Sequence, residues 1–159
     1  MQTKDDTYFM KEALREAKKA FDLDEVPVGA VVVHKGNIIA RAHNQVEMLR
    51  DPTAHAEMIA LTAATNAIGN KWLLDCIMYV TIEPCSMCTG ALVLSRIKRI
   101  VYGAEDLKTG ACGSVVNIAN DSKLNHSIEV SRGVFSEECG LLLTKFFSKK
   151  RLKQAAINN

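Results

Sequence analysis

Ile77-Met78-Tyr79-Val80-Thr81-Ile82-Glu83-Pro84-Cys85-Ser86-Met87-Cys88 is the stretch whose reading decides the fold. Ile77 to Ile82 is an apolar run of strand length, rich in β-branched residues, and reads as a buried strand. Pro84 then switches the chain into a helix from Cys85 to about Ser95, since a helix start has no use for the missing N–H. A buried strand feeding straight into a helix predicts an α/β protein.

The neighbouring segments repeat that alternation. Upstream, Thr53 after Asp51-Pro52 is the expected N-cap of a helix through about Ile68, ended by Gly69-Asn70. Its expected buried stripe is Ala56, Ile59, Ala60, Ala63 and Ala67, small residues that let a helix lie close to a sheet. Val28 to Val33, the turn Lys35-Gly36-Asn37 and Ile38 to Ala42 form a hairpin of two buried strands. Before it, Met10, Ala13, Leu14, Ala17 and Phe21 recur at helical spacing opposite Lys11, Arg15, Lys18 and Lys19, and Pro27 ends that stretch.

Downstream, Arg99 to Tyr102 is a further strand, and Gly103, Gly110 and Gly113 punctuate a long loop. Ser136 with Glu137 and Glu138 opens a last helix, its acids suited to the positive end of the helix dipole. Cys139, Leu142, Leu143 and Phe146 mark its inner face. The expectation is a three-layer α/β/α domain over residues 1–159, with a central sheet of about five strands flanked by helices. The hairpin makes that sheet mixed.

The 159 residues are 48% apolar and 24% charged, which excludes intrinsic disorder. A net charge of +2 is too small to announce a polyanionic partner without local patches. No apolar run approaches the roughly 20 residues of a bilayer helix, and Met1 to Asp6 is polar, with no apolar leader core. Five cysteines argue against a disulfide scaffold and for a reducing, cytoplasmic setting with metal or catalytic use for some of them.

The chemistry resides in His55-Ala56-Glu57 and Pro84-Cys85-Ser86-Met87-Cys88. Two cysteines three apart at a helix start lie on nearly one face, and the first-turn dipole favours the thiolate that binds zinc. His55, at the start of another helix, completes three ligands and leaves a fourth position for water, the pattern of a catalytic zinc site. Glu57 lies about 200° around the helix from His55. Face-sharing therefore fails, and the site must cap the helix end. Zinc lowers the pKa of bound water toward about 7, and a carboxylate that is not a ligand can shuttle its proton. This His-x-Glu and Pro-Cys-x-x-Cys pairing is the signature of the zinc deaminases.

Blander readings stand beside it. Cys76, Cys112 or Cys139 could close a structural zinc site, and Cys-x-x-Cys occurs in redox dithiols. Neither explains Glu57 and Pro84. Cys76 and Cys139 fall on apolar faces as small core residues. His34, His43 and His126 read as surface or structural histidines.

Beyond the zinc motif the chain resembles the TadA-type bacterial tRNA-specific adenosine deaminases from about Tyr8 to Arg151. The resemblance is carried by Glu25-Val26-Pro27-Val28-Gly29-Ala30, His43-Asn44, Asp51 through Glu57 and Tyr79 through Cys85. Ser95-Arg96-Ile97, Lys108-Thr109-Gly110-Ala111, Asn125-His126 and Phe146-Phe147 extend it. It implies a cytidine deaminase-like fold, one zinc ion per subunit, a homodimer, and conversion of adenosine to inosine at the wobble position of a tRNA anticodon loop. In that reading Glu57 is the proton shuttle and Asn44 lies against the flipped base. Main chain around Ala56 and Glu83-Pro84 touches the base edge, and the Asp106 region lies beside neighbouring nucleotides.

From Lys145 onward Lys145, Lys149, Lys150, Arg151 and Lys153 are accompanied by no acid, and Phe146-Phe147 interrupts the run. That basic C-terminal segment, about residues 145–159, mixes charge for phosphates with rings for bases. The same residues also suit an ordinary helix, with Phe146 turned inward and cations at its C-terminus. Arg96, Lys98 and Arg99 are candidates to extend the patch. The rival functions are a deaminase of a free base or nucleoside, guanine or cytosine-type, and a zinc-stabilised RNA-binding module without catalysis.

Overall fold

The computed structural model describes residues 3–159; Met1 and Gln2 of the polar N-terminus lie outside the described residues. Five helices and five strands follow one another as α1 Asp6–Asp22, β1 Gly29–His34, β2 Asn37–His43, α2 Val46–Leu49, α3 Ala56–Ile68, β3 Cys76–Ile82, α4 Ser86–Leu94, β4 Arg99–Ala104, β5 Glu129–Ser131 and α5 Ser136–Asn158. The sheet order is β2-β1-β3-β4-β5. β1 runs antiparallel to both β2 and β3, while β3, β4 and β5 are parallel. The sheet is mixed, as the hairpin required.

Side-chain alternation divides the core. Ala30, Val32, Met78, Val80, Ile100 and Tyr102 face Ala56, Ala60 and Ala64 of α3 and Leu92 of α4. Val31, Val33, Tyr79 and Val101 face Phe9, Met10 and Ala13 of α1. α5 joins the α1 side by setting Cys139 against Leu14 and Ala104. Helices therefore cover both faces of the sheet, in the expected three layers.

Three local expectations are corrected. Thr53 does not cap α3, because its amide and hydroxyl are both spent on the Asp51 carboxylate at 2.8 and 2.7 Å. The N-cap is His55, with φ −71° and ψ 150°. The buried face of α3 is Ala56, Glu57, Ala60 and Ala64, while Ala63 and Ala67 are exposed. The fully buried alanines of α3 form a row spaced by four residues, flanked by the partly buried Ile59, Leu61 and Ile68. Arg99 does not extend a basic patch, because its guanidinium holds the Asp6 carboxylate at 3.0 and 2.7 Å at the start of α1. Tyr79 also donates to Asp6, at 2.7 Å.

Among the described residues no helix is long and apolar enough to cross a membrane. All five cysteines are free.

Candidate active site

β2, β3 and β4 point the same way, because β1 is antiparallel to both β2 and β3. Residues that follow their C-terminal ends therefore gather at one edge of the sheet. Asn44 follows β2, the Glu83-Pro84-Cys85 turn follows β3, and Asp106 follows β4. α3 and α4 begin at that edge, with His55 and Cys85 as their N-caps. Neither cap side chain bonds its own helix, which leaves both free to turn toward each other.

They converge on one point. His55 Nδ1 lies 3.6 Å from Cys85 Sγ and 3.5 Å from Cys88 Sγ. Zn–N and Zn–S bonds of usual length at a tetrahedral angle separate nitrogen from sulfur by about 3.6 Å. The three donor atoms lie within 4.8 Å of one another, and among the described residues they form a cluster by themselves. The geometry and the donor set fit a single zinc ion with one vertex open. Cys112 is not a fourth donor, since its sulfur lies 3.6 Å from the buried Thr89 hydroxyl. Cys76 and Cys139 are core residues, as their positions predicted.

The protonation pattern shows what the cluster needs. The Cys88 thiol, with His55 beside it, pulls Cys85 down to about 4, so Cys85 is a thiolate. The Cys85 sulfur holds the Cys88 proton in place and burial adds to that, raising Cys88 far above its ordinary value. The same Cys85 sulfur, followed by the Glu57 charge, raises His55. Three donors thus share protons around one negative centre, the configuration in which a divalent cation displaces protons.

Glu57 is 3% exposed. Burial raises its carboxyl above the ordinary range. It sits one residue into α3, beyond the cap that supplies His55, so the helix end brings both together as the two-residue spacing demanded.

A cavity of about 650 Å3 opens onto this floor. His55, Glu57 and Cys85 line it together with Asn44, Asp106 and, from α5, Phe147. Asn44 is buried, with its Nδ2 donating to Glu25 Oε2 at 3.4 Å. Ala56 is fully buried in the core and is not among the residues that line the cavity, where the resemblance had placed its main chain against the base.

Phe146 and Phe147 separate. Phe146 is 2% exposed and packs edge-on against Phe21, 6.0 Å between ring centres. It anchors α5 to α1 and does not present a stacking face, which corrects its place among substrate contacts. Phe147 is 43% exposed and lines the cavity. Lys149 and Lys150 lie over the Phe21 and Phe146 rings, 5.4 Å from each centre, and Arg151 bonds Ser148 on an exposed turn.

Two buried carboxylates carry structure that the sequence reading did not assign. Glu25 accepts from the Glu47 and Met48 amides at 3.1 and 2.6 Å, holding α2 beside Asn44. Its only sequence signal is an acid just ahead of Pro27 inside the resembling segment. Glu83, whose main chain was expected near the base edge, lines the cavity, and its carboxylate is occupied by the loop after β4.

The MafB19-like deaminase family model matches residues 4–155. The tRNA-specific adenosine deaminase of Bacillus subtilis (strain 168) is 49% identical over 151 residues, covering 95% of this chain and 94% of that protein. That of Aquifex aeolicus (strain VF5) is 51% identical over 144 residues, covering 91% and 95%. A solved structure from work on A-to-I editing by tRNA deaminases at the wobble position superposes with a TM-score of 0.83 at 42% identity, over 86% of this chain and 99% of that one. On this agreement along nearly its whole length, the chain belongs to the tRNA-specific adenosine deaminases within the MafB19-like deaminase family.

Proposed function

We propose that the chain hydrolyses adenosine to inosine and ammonia at the wobble position of a tRNA anticodon loop, as a zinc-dependent cytoplasmic homodimer. The observation that carries the chemistry is the open three-donor cluster with a buried, non-ligating Glu57 beside it at the cavity floor. His55, Cys85 and Cys88 would hold the zinc, which when bound supplies acidification of water for attack on an amino-bearing ring carbon.

The chain's own residues do the rest. Glu57, whose burial raises the proton affinity of its carboxylate, is suited to take a proton from water and pass it to the purine ring nitrogen and then to the leaving amine. Asn44 has one amide hydrogen committed to Glu25, which fixes the plane of its remaining polar atoms for the base. The turn at Asp106 and the ring of Phe147 bound the mouth, where nucleotides next to a flipped base would lie. Lys149, Lys150 and Arg151 follow Phe147 on the same helix, an exposed run of cations suited to phosphates.

The relatives' names supply the tRNA, and the basic run on α5, the helix that also lends Leu143 and Phe147 to the cavity, supports that substrate over a free base. The homodimer reading is supported by the apolar outer side of α4, where Leu94 is 79% exposed, and by Val115 and Val116, also exposed.

The decisive experiment incubates zinc-loaded protein with tRNA carrying adenosine at the wobble position, beside free adenosine, guanine and cytidine. Inosine in the tRNA is the expected product. Ammonia released only from the free compounds overturns the assignment. Changing Lys149, Lys150 and Arg151 together to Ala should weaken tRNA binding and flatten its salt dependence; an unchanged slope removes them from the interface.

A further inference from the structure

We propose that Glu83 is a positioning residue: one buried carboxylate on which the loop 105–114 folds, tying the metal-binding turn to the rim that receives the substrate. The proposal rests on the preceding reading for the identity of the substrate and on the coordinates for the rest.

Glu83 is 1% exposed. Among the described residues it takes part in no ion pair. A buried carboxylate without a cation is costly unless its lone pairs are filled. They are filled from a single loop. Oε1 accepts from the Asp106 amide at 3.2 Å and from the Ser114 hydroxyl. Oε2 accepts from the amides of Cys112 and Ser114 at 3.0 and 3.1 Å. Four donors on two oxygens suit only a carboxylate, since a side-chain amide has one acceptor atom.

The loop is then stitched to the turn that carries the cysteine. Cys85 and Gly110 form a β-bridge, and the Ala111 amide donates to the Pro84 carbonyl at 2.9 Å. Gly110 has no room for a Cβ, because the Glu83 carboxylate and the Asp106 carbonyl fill that space. The rim itself is closed locally: the Asp106 carboxylate accepts from the Lys108 and Thr109 amides at 3.0 Å each and from the Thr109 hydroxyl at 2.6 Å. Asp106, Leu107, Lys108 and Thr109 all line the cavity. The Asp106 amide, held by Glu83, is therefore the tie between this preformed turn and the protein. Glu83 lines the cavity, but its carboxylate is taken up by loop donors, and it acts by fixing where the rim stands.

E83Q tests this with a specific geometry. The new amide nitrogen cannot face the Cys112 and Ser114 amides, both donors. It turns toward Ser114 Oγ, which can rotate to accept, and the Asp106 amide loses its acceptor. The expected result on zinc-loaded enzyme is a roughly tenfold rise in KM for an anticodon stem-loop, with kcat within about threefold. Zinc stoichiometry and the cobalt-substituted absorption spectrum should match wild type. Amide hydrogen exchange across 106–109 should accelerate at least tenfold, a readout independent of any substrate.

Unchanged exchange and unchanged KM overturn the proposal, as does loss of zinc in parallel with loss of activity. Wild-type protein that makes no inosine in tRNA overturns the functional reading instead, while the exchange experiment still decides the role of Glu83. Should E83Q not fold, E83D, which keeps the charge but withdraws it by one methylene, is put through the same measurements with the same outcomes.

Discussion

Phe146→Ala and Phe147→Ala, adjacent changes of identical chemistry, should have opposite consequences. Phe146 is almost wholly enclosed between α5 and α1. Truncating a buried phenylalanine costs about 3–5 kcal/mol, and this one joins two outer helices that can partly relax, so about 3 kcal/mol is expected. For a chain of this size that lowers Tm by about 6–12 °C. Phe147 leaves nearly half its surface in the cavity mouth. Its removal should cost under about 1 kcal/mol of stability, because little packing is lost. Stacking against a base is worth about 1–3 kcal/mol, so KM for an anticodon stem-loop should rise about 5- to 150-fold. The assay is calorimetric Tm on zinc-loaded protein together with inosine kinetics well below the transition, where Phe146→Ala should keep its KM within about threefold. A stable Phe146→Ala with a raised KM, beside a Phe147→Ala with wild-type kinetics, would refute the assignment of one ring to the core and the other to the site.

Glu57→Gln should retain zinc and stem-loop affinity yet lose about 100- to 10,000-fold in kcat, the usual worth of a positioned proton shuttle; wild-type turnover would dismiss that role. Treating the protein with a chelator and then iodoacetamide should alkylate Cys85 first, because it alone of the five cysteines is not buried and its thiol is already ionised near neutral pH. Peptide mapping that finds Cys76, Cys112 or Cys139 modified earlier contradicts the packing described. Asp6→Asn addresses acid stability. Hydrogen bonds from Arg99, then from the Tyr79 hydroxyl, hold the Asp6 carboxyl below the ordinary aspartate range. Its contribution is therefore complete above about pH 4 and disappears as pH falls through the depressed folded value. The variant should lose about 1–3 kcal/mol at pH 7 and show a shallower acid limb; parallel wild-type and variant curves between pH 4 and 2 would contradict the linkage.

The centre of the site could be read from the chain because each half of it is local. A ligand at a helix start, a second three residues on and a carboxylate two past the histidine are spacings that one turn of helix converts directly into geometry. The core strands announced themselves through Val31 to Val33 and Ile77 to Ile82, apolar on both faces because helices cover both faces. What escaped was set by distant partners. β5 is three residues at the sheet edge with no buried apolar pattern, held to β4 by its backbone and by Arg99 donating to the Ser131 hydroxyl. α2 is four residues ordered by Glu25 from 22 and 23 positions away. Glu83 gave no sign that four donors from a loop 23 to 31 positions downstream would converge on it. The Thr53 cap failed for a local reason of the same kind, an Asp51 that competes for the same side chain.

The small side chains under α3 have a last consequence. Ala56, Ala60 and Ala64 have no exposed surface, and at the centre of the contact they set how closely that helix approaches the strands beneath it. The histidine and the carboxylate ride on the helix, whereas both sulfurs are carried by the turn after β3 and by α4. Alanine thickness is thus the ruler for the nitrogen-to-sulfur gap. An extra methyl at Ala60, ordinary drift in most interiors, would here lift one half of the reaction centre away from the other, so the variants tolerated along this row are decided by chemistry before they are decided by folding.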